Sequence, residues 1–102
     1  MKAVRLWLEG RTPSPPSTLA RWLEEREPAP GAPEGEEVWR TLTAWGIAAL
    51  DRARSHPGRV RESAFHLLAA DALLTYACEA ALETEEPTRA LDEILKRMAA
   101  AA

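Results

Sequence analysis

The residues best suited to chemistry lie in one short stretch near the middle of the chain, RARSHPGRVR. Four arginines fall within these ten residues: Arg52, Arg54, Arg59 and Arg61. The first two are expected near the end of one helix, where cations complement the helix dipole, and the last two begin the next helix, where positive charge is unfavourable. Guanidinium groups and free helix N–H groups are common phosphate ligands. The stretch therefore predicts an anion-binding tip for phosphate, nucleic acid or an acidic protein patch, or else a solvated tip neutralised by local ion pairs.

His66 follows Arg61 at the spacing Arg-x-x-x-x-His, and we include it in the candidate anion site. The spacing resembles the catalytic motif of HEPN ribonuclease domains, which are all-helical and usually dimeric. The resemblance covers six residues and implies a metal-independent composite site in which Arg61 and His66 of two subunits cleave RNA. The chain departs from the family at Glu62, whose carboxylate would oppose a scissile phosphate. Apart from this motif, His66 is expected to be partly buried and hydrogen-bonded to Glu62.

Other catalytic and cofactor-binding patterns are missing from the sequence. Glu62 and His66 supply two metal ligands at i and i+4, but no second cluster completes a coordination sphere. There is no Ser/His/Asp or Cys/His set and no glycine-rich phosphate loop. We therefore expect no catalytic residues, no metal and no cofactor, and favour a protein that is not an enzyme.

Composition restricts the class of protein further. The chain has 102 residues, 46% of them hydrophobic, and a net charge of −3, which offers no global attraction for nucleic acid or membranes. Its charge-free stretches are too short to span a bilayer, and no signal peptide opens the sequence. Cys78 is the only cysteine and excludes an intrachain disulfide. These features predict a cytoplasmic protein with no membrane partner, and the excess of arginine over lysine suggests a thermophile.

The element that positions these residues is the run from Arg59 to Glu83. Ala and Leu dominate it and neither Gly nor Pro interrupts it, so it predicts one central helix about 37 Å long. Asp71, Thr75 and Glu79 recur at i, i+4 and i+8 on an otherwise apolar circumference. This polar stripe is either the solvated edge of the helix or a polar seam across a dimer interface.

A second long helix precedes it, and the two predict an antiparallel αα-hairpin over residues 36–83. Gly46 interrupts the 3.6-residue period of residues 36–55, which favours a close helix–helix approach at that side. The break at residues 56–59, HPGR, suits a type II turn with positive φ at Gly58. A final helix is expected over residues 87–99, with i,i+4 ion pairs and frayed terminal alanines.

Residues 1–35 predict short docking elements and proline-rich linkers. Residues 1–10 fit a strand as well as a helix, but no partner strand is evident, so we favour a short helix ended by Gly10. Ser14 and Pro15 suit the start of a helix that runs to about Glu27, before a linker over residues 28–35.

The chain as a whole, residues 1–102, is expected to be one all-α domain, a small helical bundle around the long hairpin. Its four tryptophans all precede the alanine-rich central helix and either fill the core or line a ligand pocket. Because few and short elements surround an apolar helix, we expect a homodimer that buries the remaining face. The favoured function is a non-enzymatic, homodimeric interaction or scaffold module, and the alternative is phosphate or nucleic-acid binding at the arginine-rich tip.

Overall fold

The protein is described by a computed structural model that covers residues 2–26, 37–55, 58 and 60–101. Within these ranges the chain forms five helices and no strand, and the helices are α1 (Lys2–Glu9), α2 (Ser17–Arg26), α3 (Val38–Arg54), α4 (Val60–Leu82) and α5 (Pro87–Ala101). The longest contact joins α3 to α4; α1 packs on α3, α2 packs on α4, and α5 packs on both long helices. The prediction of an all-α bundle around a helical hairpin is confirmed.

The hairpin is antiparallel, as shown by two contacts between its helices. The Ser63 hydroxyl near the start of α4 donates to the Ala53 carbonyl near the end of α3 at 3.1 Å. Further along, Leu74 lies against Gly46. Gly58, between the two helices, has the predicted positive φ, at +90°. The other residues of the predicted turn, at positions 56, 57 and 59, lie outside the described residues.

The N-terminal segment is a helix, so the strand alternative for residues 1–10 is wrong. The N–H of Gly10 donates to the carbonyls of Leu6 and Trp7, and α1 ends there as expected. The start of α2 was predicted at Pro15, but the helix begins at Ser17 because the Pro16 carbonyl accepts the N–H of Leu19 at 3.0 Å. The predicted end near Glu27 and the linker after it lie outside the described residues.

The last helix is longer than predicted and is bonded to the hairpin near its middle and at its C-terminal end. It continues to Ala101 instead of ending near 99, and the Arg54 guanidinium donates to the Ala101 carbonyl at 3.0 Å. A cation at this position complements the dipole of α5. Arg40 of α3 pairs with Glu93 of α5 at 2.6 Å. The predicted ion pairs within α5 are confirmed, Asp92–Lys96 at 3.0 Å and Glu93–Arg97 at 2.9 Å.

The core combines a slender α4 with bulky side chains from the first half of the chain. The buried face of α4 is mainly alanine: Ala69, Ala70, Ala77, Ala80 and Ala81. Trp22, Trp39 and Trp45 are buried against this region, whereas Trp7 is half-buried at the edge. Three of the four tryptophans therefore fill the core, and the fourth has a partly open surface.

Gly46 allows the close approach of α3 and α4 that its position in a helix predicts. A Cβ atom at this residue would lie 2.6 Å from Cγ of Leu74 and 3.3 Å from the backbone nitrogen of Leu74. Real Cβ contacts are longer than the first of these, so any side chain at position 46 requires α4 or Leu74 to move.

By length and composition α4 is apolar enough to cross a membrane, which corrects the expectation drawn from its short charge-free stretches. The core helix of a soluble protein passes the same test, and α4 has that position in the bundle. Seven of its residues are buried, and α2, α3 and α5 pack against it.

We expect the substitution Gly46→Ala to lower the free energy of unfolding by about 1–2 kcal/mol. Overpacking against Leu74 costs about 1–3 kcal/mol and exceeds the roughly 1 kcal/mol that alanine contributes to a helix. Urea denaturation measures the change. Ala44→Gly, at an exposed position of α3, isolates the propensity term, and adding Leu74→Ala to Gly46→Ala should restore part of the loss. A Gly46→Ala variant at least as stable as the parent would contradict the close approach.

Candidate interaction surface

One face of α4 is left uncovered by the bundle and is apolar in its N-terminal half. Val60, Leu67 and Leu68 are 79%, 54% and 58% exposed, and Ala64 beside them is also exposed. We call these four residues the α4 apolar patch. They lie within two and a half turns on one side of the helix, since steps of three, four and seven residues return to the same side. Contiguous apolar surface of this kind marks interaction sites.

The same face carries a regular spacing along the whole helix. The α4 outer stripe, as we call it, follows steps of three and four residues: Arg61, Ala64, Leu68, Asp71, Thr75, Cys78 and Leu82. Six of these residues are exposed and Cys78 is half-buried. Alternating steps of three and four are the spacing of the contact seam between paired helices. The N-terminal part of this seam is exposed to solvent, whereas Asp71 and Thr75 line an open cleft beside Arg11, Pro13 and Pro16.

The polar stripe recognised in the sequence belongs to this face. Asp71, Thr75 and Glu79 are all exposed. In one copy of the chain they form a solvated edge, which is the first of the two expected alternatives. Because Leu68 and Asp71 are one turn apart, the polar residues begin where the α4 apolar patch ends. The patch and the polar stripe therefore form one continuous surface.

The arginines of the predicted anion site differ in their surroundings. Arg54 is exposed, but its guanidinium donates to the Ala101 carbonyl and links α3 to α5. Arg52 is half-buried, and Arg61 is exposed on the α4 outer stripe. Arg59 lies outside the described residues. The described part of the tip thus has one arginine bonded to a helix terminus and another on the face of α4.

His66 lies inside the core, away from Arg61. It is fully buried, and its Nδ1 accepts a hydrogen bond from Nε1 of Trp22 at 3.0 Å. An Nδ1 atom that accepts a hydrogen bond places the proton of the neutral ring on Nε2. The Glu62 carboxylate is 3.8 Å from Nε2. In this conformation RNA or phosphate has no access to the ring, so the two residues of the HEPN-like spacing lie in different environments.

A local signal for the burial of His66 exists in the sequence. Ala69, Ala70 and Leu73 follow it at i+3, i+4 and i+7, and all three are buried on the same face. The sequence instead led to Glu62 as its hydrogen-bond partner, because that residue is one turn away. The partner in the structure, Trp22, is 44 residues distant in the chain, and no local pattern identifies it.

Trp22→Phe should destabilise the protein by about 1–3 kcal/mol, because it leaves the buried Nδ1 of His66 without its donor. Thermal and urea denaturation measure the loss. Trp39→Phe is the matched control: Trp39 is also buried, but its indole donates to the exposed side chain of Glu37, which water can satisfy. Equal losses in the two variants would show that the Trp22–His66 hydrogen bond adds nothing beyond packing.

A second polar cluster joins α1 to the end of α4. The Glu83 carboxylate accepts hydrogen bonds from Nε1 of Trp7 at 2.7 Å and from Nη1 of Arg11 at 3.1 Å. The Arg11 guanidinium also lies over the Trp7 ring at 3.9 Å, and Tyr76 contacts that ring edge-on. Beside the cluster is an open cleft of about 600 Å³ with glutamates in its wall. The cluster fixes α1 on the hairpin and explains why Trp7 is half-buried.

The hydrogen bonds from Trp7 and then Arg11 hold the pKa of Glu83 below its usual value of 4.5. A lowered pKa in the folded state stabilises the protein above pH 4.5, and this contribution is lost as the pH falls through the folded pKa. We therefore expect Glu83→Gln to reduce the loss of stability on acidification below pH 4.5, with Glu85→Gln as the neighbouring exposed control. NMR titration provides the direct measurement, and a Glu83 pKa at or above 4.5 would contradict the cluster.

Comparison with known proteins gives no match to this chain among family models, curated proteins or solved structures.

Proposed function

We propose that this protein is a non-enzymatic interaction module that acts as a homodimer through the outer face of α4. The observation that carries the proposal is the exposure of Leu67 and Leu68 in the N-terminal half of the longest helix of the bundle, on the same face as Val60. Single exposed leucines are ordinary, and Leu6 and Leu95 are scattered examples. A cluster on one helix face, at the spacing of a helix–helix seam, is different because contiguous exposed apolar surface of this kind marks interaction sites.

The energetic argument follows from apolar area. Burying a leucine side chain contributes about 1.5–3 kcal/mol when it is taken fully out of water, and the exposed fractions of Leu67 and Leu68 leave roughly half of that unused in one chain. A two-fold contact buries each leucine twice, once in each copy. Two hairpins that pack together through α4 bring four long helices side by side, as in other helical bundles. The contact surface then belongs to the most extensively packed element of the fold.

The same proposal accounts for the polar residues of the face. Asp71 and Thr75 lie on the α4 outer stripe, where polar groups in a contact seam specify register. Arg61, the exposed arginine of the hairpin, lies on the stripe as well. Binding of phosphate or nucleic acid has less support, because Arg54 is bonded to Ala101 and His66 is buried. The single cysteine suits a reducing compartment, so we assign the module to the cytoplasm.

Light scattering after size-exclusion chromatography should give twice the chain mass of 11.2 kDa at micromolar concentrations. Leu68→Asp should raise the dimer dissociation constant at least about tenfold, because it removes apolar burial and adds a charge in both copies. Leu95→Asp is the matched control, since Leu95 on α5 is 66% exposed and lies outside the α4 apolar patch. Circular dichroism checks that both variants fold. A monomeric parent protein, or equal weakening by Leu95→Asp, would overturn the proposal.

A further inference from the structure

We infer that two copies pair their α4 helices antiparallel, about a two-fold axis at the level of residue 66, so that Arg61 meets Asp71 of the partner subunit. The inference rests on the proposed homodimer and specifies its contact surface. It follows from the chemistry of four exposed residues of the α4 outer stripe: Arg61, Ala64, Leu68 and Asp71.

The order of these four residues along the helix is complementary to the same order read in the opposite direction. A cation and an anion enclose a small and a large apolar residue, at steps of three, four and three. When the helix is reversed about its middle, residue 61 faces 71 and residue 64 faces 68. The antiparallel contact therefore sets a guanidinium against a carboxylate at each end, about 15 Å apart along the axis. In the middle, Leu68 packs over Ala64 of the partner subunit, where the small side chain leaves room for it.

Other registers on the same stripe are chemically poorer. Parallel pairing opposes Arg61 to the partner's Arg61 and Asp71 to the partner's Asp71, which is repulsive. If the two-fold axis is moved half a heptad toward the C-terminus of α4, Leu68 lies opposite the partner's Asp71. An axis a full heptad further sets Asp71 against the partner's Thr75 and leaves Arg61 beyond the contact. Among these, the register centred at residue 66 pairs both charges and buries leucine on alanine.

The position of each charged residue in one chain agrees with this register. Arg61 lies in the first turn of α4, where the helix dipole disfavours a cation. Asp71 follows the α4 apolar patch at an exposed position of the mid-helix. Within the residues that the structure describes, neither side chain has an ion-pair partner. The antiparallel contact supplies each with an opposite charge, and it places the two ion pairs at the rim, where solvent still reaches them.

A charge-reversal experiment tests the register. Arg61→Asp alone and Asp71→Arg alone each turn two attractive contacts into repulsive ones and should raise the dimer dissociation constant at least about tenfold at low salt. The double variant restores opposite charges in swapped positions and should return the constant to within about threefold of the parent. Arg61→Asp also places an acid at a helix N-terminus, so loss of folding is not the expected cause of its effect. Sedimentation velocity measures all four proteins.

Cysteine cross-linking gives a second, geometric readout. In a Cys78→Ala background, the pair Ala64→Cys and Leu68→Cys should form intermolecular disulfides under mild oxidation, because these positions face each other. Leu68→Cys with the native Cys78 tests the register one heptad further, in which residue 68 faces 78, and should cross-link poorly. Efficient cross-linking of the second pair but not the first would overturn the inferred register.

The outcomes separate this inference from the proposed function. A parent protein that sediments as a monomer overturns both. A parent dimer that Leu68→Asp disrupts, but whose charge variants show no rescue in the double variant, overturns the register and leaves the homodimer intact. Rescue by the double variant together with the expected disulfide supports both.

Discussion

The fold depends on the close contact between α3 and α4 at Gly46. Leu74 occupies the space that a side chain at position 46 would need, so the two longest helices approach closely there. Alanines on the buried face of α4 keep the helix slender along the rest of its length, and Trp39, Trp45 and Leu42 from α3 are buried against this core. Each helix thus contributes small and large residues to the hairpin: Gly46 of α3 receives Leu74 of α4, and the alanines of α4 share the core with the tryptophans of α3.

The shorter helices need specific contacts, since each has little apolar area. For α2, with ten residues, the buried hydrogen bond from Trp22 to His66 selects one position on α4. For α1, with eight residues, the equivalent is the cluster of Trp7, Arg11 and Glu83. Both contacts use an indole N–H as donor. In each case a large aromatic ring buries apolar surface, and the hydrogen bond from its nitrogen fixes the orientation of the ring.

The sequence predicts features that arise from local periodicity and misses those that arise from distant contacts. Apolar periodicity predicts the long helices, and an interruption of that periodicity predicts the close approach at Gly46. The i,i+4 spacing of opposite charges predicts the ion pairs of α5. No local sequence pattern predicts the hydrogen bond between Trp22 and His66, because it joins residues far apart in the chain. The exposure of Leu67 and Leu68 was also invisible: leucines within an apolar run suggest a core, and only the positions of the neighbouring helices show which side stays open.

That open side remains because the helices that pack on α4 do not encircle it. Among the described helices, α2, α3 and α5 pack on it, so three directions are covered along a helix about 34 Å long. The uncovered direction holds the α4 apolar patch, and beyond it Asp71 and Thr75 line an open cleft beside Arg11 and Pro13. A second copy of α4 on this side would be the fourth neighbour. In the proposed dimer it would complete the enclosure of an apolar helix by the same kind of contact that α3 already makes.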